Sequence, residues 1–149
     1  MTAATSSHSG QRLTDTALRA VTAAALIVEA VIHLQLAANY QLAAPAGIGQ
    51  GNLFRIEAAA AVLAALWVLV SGSQAAYAAA LSVAAGGLGA VLLYRYYQVP
   101  AFGPIPSMYE PLWYFKKNVT AVAEATATVT ALIGFLLVRQ SAPSRAANH

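Results

Sequence analysis

Cysteine is absent from the 149-residue chain. Disulfides, thiolate metal sites and a cysteine nucleophile are therefore excluded. Charge is almost as scarce: Asp, Glu, Lys and Arg make up 9% of the residues, against roughly 25% in a soluble globular domain. That deficit excludes an ordinary soluble fold. Acid is the scarcest charge, with five Asp and Glu in all. Only Asp15 and Glu110 lie outside the apolar runs described below, so there is no DDxxD-type magnesium motif. The eight Lys and Arg give a net charge of +3 and a pI near 9.5, but they are scattered, with Lys116 and Lys117 the only adjacent pair. A nucleic-acid face requires clustering, so no nucleic-acid partner is expected and the basic residues read as interface anchors and topology signals.

What is present is apolar. Hydrophobic residues make up 59% of the chain and the mean hydropathy is +0.61. Four runs, at about 18–38, 53–70, 75–93 and 119–138, approach the roughly 20 residues that cross a hydrocarbon core. The reading is an all-α, polytopic membrane protein, a four-transmembrane-helix bundle over 18–138 with polar tails at 1–17 and 139–149. The lipid bilayer is its immediate partner. Arg12 and Arg19 precede the first run and Ala37-Ala38-Asn39 imitates a cleavage site, but that run is long and interrupted by Glu29 and His33. A retained helix is favoured over a signal peptide.

The connections differ in kind. "NYQLAAPAGIGQGN" breaks helix with Pro45 and three glycines, whereas "SGSQ" at 71–74 is a short turn that makes the second and third spans antiparallel neighbours. The third connection, 95–117, holds four of the six prolines together with Tyr96, Tyr97, Phe102, Tyr109, Trp113 and Tyr114. It reads as an interfacial aromatic cap without regular helix. "AAGGLGA" at 84–90 lacks GxGxxG spacing after a strand and reads as a close-packing helix surface. For orientation, Arg12, Arg19, Arg139 and Arg145 face Arg55, Arg95, Lys116 and Lys117 across the membrane. If Arg55 and Arg95 are held as partners of buried acids, the count becomes four against two, and both termini are cytoplasmic.

Three of the five acids, Glu29, Glu57 and Glu124, fall inside the apolar runs. An ionised group at the bilayer centre costs about 2.5–3.5 kcal/mol on insertion scales, so such residues usually face the protein interior and serve a function. At 100° per residue, Glu29, His33, Leu36 and Tyr40 share one stripe of the first helix. His33, Glu57 and Glu124 all lie roughly 6–8 Å below the same surface, and Glu29 one turn deeper. Arg55, Tyr94, Arg95 and the aromatic connection approach from that surface. Thr120 and Thr128 flank Glu124 one helical turn away on either side, within reach of its carboxyl.

Several chemistries can use such a cluster. A register-fixing network would pair Glu57 with Arg95, and Glu124 with Arg55 or His33. A metal site is disfavoured because four-helix carboxylate centres use Glu-x-x-His on two helices, while this chain has Glu-x-x-x-His once; no metal or other cofactor is expected. A carboxyl in an apolar pocket favours its neutral form, a neighbouring cation can hold a second one ionised, and aromatic faces stabilise developing positive charge. These are the parts of an acid/base site for carbocation chemistry on an apolar small molecule. On that reading Glu57 or Glu124 donates a proton and His33 and Glu29 tune or receive protons. Tyr40, Arg55, Tyr94, Arg95, Tyr109, Trp113 and Tyr114 contact substrate, with the 109–115 segment as the closure. Two other classes fit the same residues: a non-catalytic subunit of a membrane complex, with a second copy or another membrane protein as partner, and a small proton- or cation-coupled transporter using Glu29.

In size, four-span layout and the intramembrane glutamates of "ALIVEAVIH" and "KKNVTAVAEAT", the chain resembles the small bacterial membrane-bound terpene cyclases. The resemblance covers most of the chain and is one of architecture. It implies metal-free, protonation-initiated cyclisation or isomerisation of a prenyl chain already attached to an acceptor, in a bacterial cytoplasmic membrane.

Overall fold

Four apolar stretches with alanine at most inward positions can approach one another closely, and the chain does so as four helices. The computed structural model describes residues 3–43 and 48–146, with side chains over 12–42 and 48–141. Pro45 of the first connection and the outermost residues of both expected tails lie outside it. The helices are α1 (Ala3–Ala43), α2 (Gln50–Ser71), α3 (Gln74–Tyr96) and α4 (Phe115–Ala146). No strand occurs among the described residues. Within these helices, Arg12–Leu42, Gln50–Ser71, Gln74–Tyr96 and Phe115–Ser141 are each long and apolar enough to cross a membrane.

α1 and α4 extend well beyond the apolar runs that announced them. Helix α1 begins at Ala3 and α4 continues to Ala146, so most of both polar tails is helical. The turn at Gly72–Ser73 is as short as "SGSQ" suggested. Gly72 ends α2 at φ 51°, and the Ser73 hydroxyl caps α3 by accepting from the Ala76 amide at 3.2 Å. Residues 97–114 carry no helix, in keeping with their prolines. A small turn there pairs Phe102 and Ile105 through two 3.0 Å backbone bonds.

In sequence order the helices form a ring, with α1 against α2 and α4, and α3 against α2 and α4. The interior is largely alanine, including Ala30, Ala61, Ala65, Ala80, Ala84 and Ala127, with Leu26, Val68 and Tyr77 as its bulky members. Leu63, Trp67, Val70, Val122, Val129 and Leu132 point outward. Small inside and large apolar outside is the packing of helices whose surroundings are as apolar as their core.

Close approach has one clear fulcrum between α1 and α2. A Cβ at Gly51 would strike the Ala37 carbonyl oxygen and lie 2.8 Å from the Gln41 backbone nitrogen. Neither backbone atom can swing aside. Gly51→Ala is accordingly expected to destabilise the fold by about 1–3 kcal/mol, read as a lower midpoint in denaturant unfolding of the purified protein in micelles.

Candidate functional site

Gly51 brings the far end of α1 onto the start of α2, and there the polar stripe of α1 meets Phe54. The His33 and Phe54 rings are 5.2 Å apart at 40°, and Tyr40 meets Phe54 edge-on at 5.1 Å. These residues line a cavity of about 170 Å³ at one end of the bundle. All four helices contribute: His33, Leu36 and Tyr40 from α1, Leu53 and Glu57 from α2, Gly86, Gly87, Val91 and Tyr94 from α3, and Lys117 and Thr120 from α4.

The carboxyls gather at its inner side. Glu29 and Glu124 are fully buried and His33 is 6% exposed. A Cβ at Gly87 would lie 2.6 Å from Glu124 Oε1 and 3.2 Å from Glu57 Oε1. The two oxygens are thus separated by no more than the sum of those distances, and a side chain at this position would push the carboxyl ends aside. His33 Nε2 is 4.0 Å from Glu124 Oε1, too long for a direct hydrogen bond. Both oxygens of Glu29 and Glu124, Oε1 of Glu57 and Nδ1 of His33 are buried without a protein hydrogen-bond partner.

The expected cations are elsewhere. Arg55 is exposed and its Nη1 donates to Asn52 Oδ1 at 2.7 Å. Arg95 lies over the rings of Tyr96 and Trp113, at 5.1 and 5.8 Å. Among the described residues the only other ion pair is Asp15 with Arg19. Of the register-fixing network, neither Glu57 with Arg95 nor Glu124 with Arg55 forms, and what remains of it is the 4.0 Å approach of His33 to Glu124. With the two arginine pairs goes the four-to-two charge count, which returns to four against four. The two threonines also act differently: neither Thr120 Oγ1 nor Thr128 Oγ1 bonds the Glu124 carboxyl. Burying a carboxyl without a cation or donor is costly, and here two lie close together beside Gly87.

Above the carboxyls the connection between α3 and α4 forms a hydrogen-bonded cover. Tyr40 and Tyr114 share a hydroxyl–hydroxyl bond of 3.0 Å, Glu110 N donates to Tyr94 O at 3.0 Å, and Ile48 N donates to Pro104 O at 3.1 Å. The buried Lys117 ammonium donates to the Glu110 carbonyl and sits 5.5 Å over the Trp113 ring. Burial first, and the Tyr40 bond second, push the Tyr114 phenol above its ordinary value. The folded state therefore holds that proton more tightly than the unfolded chain. Its contribution to stability is full below about pH 10 and is lost as pH rises further, through the folded-state value. The thermal midpoint is expected to fall more steeply above pH 10 in the wild type than in Tyr114→Phe, as measured by unfolding scans across the alkaline range.

Of the residues expected from sequence, His33, Tyr40, Glu57, Tyr94 and Tyr114 line the cavity, while Glu124 lies behind Gly87 of its wall and, like Glu29, is fully buried outside the lining. Arg55, Arg95, Tyr109 and Trp113 are not among its lining residues. Phe54, Gly87 and Lys117 were missed. Two of them had a signal: Phe54 is three residues before Glu57, and Lys117 seven before Glu124, spacings that share a helix face. Among the described residues no group of three His, Asp or Glu side chains is arranged to hold a metal ion.

The cavity combines apolar and aromatic walls with the Glu57 carboxyl, close to that of Glu124. Among the described residues no Lys or Arg lies within ion-pair distance of either, although Lys117 lines the same cavity. Such a site can hold an apolar molecule and exchange protons with it. Comparison of the chain with protein-family models, curated proteins and solved structures found no match.

Proposed function

We propose that the chain is an integral membrane enzyme that cyclises or isomerises a prenyl or terpenoid substrate by proton transfer. The observation that carries this reading is the close approach of Glu57 and Glu124 beside Gly87, with Glu57 lining an apolar, aromatic-walled cavity and neither carboxyl having a described Lys or Arg within ion-pair distance. The outward Leu, Val and Trp side chains support a bilayer setting, since water would face an apolar surface far larger than the few hundred Å² usual on soluble monomers.

Two carboxylates this close, with no counter-charge in ion-pair contact, cannot both remain ionised. One therefore retains a proton beside the substrate. That proton adds to the less substituted CH carbon of the terminal trisubstituted alkene, breaking its π bond, forming a C–H bond and leaving a tertiary cation on the dimethyl-bearing carbon. The π electrons of the next double bond then close a ring. The final cation loses a proton from an adjacent carbon to the second carboxylate, forming a new C=C bond. Atoms balance as an isomerisation, and exchange of the two carboxyl protons with solvent restores the acid before the next turnover. Phe54, Tyr40, Tyr94 and Tyr114 present aromatic faces that stabilise the cation by about 2 kcal/mol or more each when desolvated. His33 and Glu29, behind the pair, tune or relay the proton.

Purified protein in lipid nanodiscs, incubated in D₂O with a geranylgeranyl-substituted phenol, tests the reading. Expected is a cyclised product carrying one solvent deuterium at the carbon that was protonated. Unchanged substrate, together with stoichiometric copurification of a different membrane protein, would replace the enzyme by an accessory subunit.

A further inference from the structure

The same cavity also shows how a long chain would reach it. An apolar cavity of about 150 Å³ accommodates one benzene ring, so 170 Å³ holds the reacting end of a prenyl chain and not its remaining isoprene units. The rest must leave the protein somewhere. The axial direction is crossed by the Tyr40–Tyr114, Glu110–Tyr94 and Lys117–Glu110 hydrogen bonds. Sideways the wall is thin. Gly86 and Ala90 line the cavity and are at the same time exposed on the outer surface of α3, and a Cβ at Gly86 would meet nothing within 4 Å. The α2–α3 seam beside them is the loosest of the four neighbouring seams. Its tight turn, Gly72–Ser73, lies at the opposite end.

Small residues alone would not define a passage. Here His33, buried and with Nδ1 unpartnered, and the buried, unpartnered Oε1 of Glu57 belong to the same cavity. We infer that Gly86 and Ala90 form a lateral portal through which a lipid-dissolved prenyl chain of fifteen or more carbons inserts its terminal alkene, the remainder lying between α2 and α3 in the bilayer. The inference rests on the proposed function for which end enters. The passage itself requires only an apolar chain.

Gly89 supplies the control. It is exposed on the same helix, a Cβ there also meets nothing within 4 Å, and it does not line the cavity. Geranylgeraniol carrying a diazirine at its terminal isoprene is photolysed with the protein in nanodiscs, and adducts on Phe54 and Val91 are quantified by mass spectrometry. Gly86→Trp is expected to lower that labelling at least tenfold, and Gly89→Trp to leave it within twofold, with both variants keeping the wild-type thermal midpoint. Wild-type labelling of Gly86→Trp, equal losses in both variants, or no cavity adducts in the wild type would overturn the portal. Labelling needs no turnover, so a chain that labels as expected yet incorporates no deuterium would keep the portal and refute the reaction.

Discussion

Replacing Glu57 or Glu124 with Gln is expected to slow solvent-deuterium incorporation into the cyclised product by about 10²–10⁴-fold, the usual worth of a general acid or base. Gln keeps the shape of each side chain and removes its ability to lose or gain the proton. Glu57 lines the cavity itself, whereas Glu124 lies behind Gly87 of its wall. The larger loss is therefore expected in Glu57→Gln when protonation limits the rate. Stability gives an independent reading of the same variants. A fully buried Glu124 with both oxygens unpartnered is expensive to keep, and a neutral amide avoids the cost of burying charge. Glu124→Gln should therefore unfold at the same temperature as the wild type or a higher one. A carboxyl held for structure would show the reverse, lower stability at unchanged activity. Full activity in both variants would remove the proposed roles.

Gly87→Ala is expected to reduce turnover by about 10²-fold, comparable to the cost of misplacing a reacting group by about 1 Å. The added methyl would lie 2.6 Å from one carboxyl oxygen and 3.2 Å from the other, so the side chains must part or α3 must move away. Gly89→Ala, two residues later, outside the cavity lining and with open space around its new Cβ, should retain nearly full turnover. Steady-state rates of the two variants in nanodiscs make the comparison. Equal behaviour would mean that carboxyl spacing does not govern the chemistry.

The helices were legible because apolar run length is a strong signal, and the short second turn because Gly and Ser punctuate it. The polar stripe of α1 was legible because helical geometry fixes which of Glu29, His33 and Tyr40 share a face. Partner choice was not. Electrostatic economy suggested that Arg55 and Arg95 would neutralise the glutamates, yet Arg55 had a nearer partner in Asn52 and Arg95 found aromatic faces in Tyr96 and Trp113. The first keeps the Arg55 cation exposed to its surroundings, and the second places the half-buried Arg95 guanidinium against aromatic faces. Gly87 was hidden for another reason. Within "AAGGLGA" nothing local separates a glycine that admits two carboxyls from one that opens onto the exterior. That difference is set by the rotation of α3 against α2 and α4.

The central claim is that one of Glu57 and Glu124 carries a proton at neutral pH, ready for an apolar substrate. Infrared difference spectroscopy of the protein in nanodiscs, wild type minus Glu57→Gln and wild type minus Glu124→Gln, observes it directly through the C=O stretch of a protonated carboxyl. The account predicts such a band at neutral pH, shifted by transfer to D₂O and lost or displaced in each variant. Carboxylate bands alone from both residues would contradict it, because the site would then hold no acid to start the reaction.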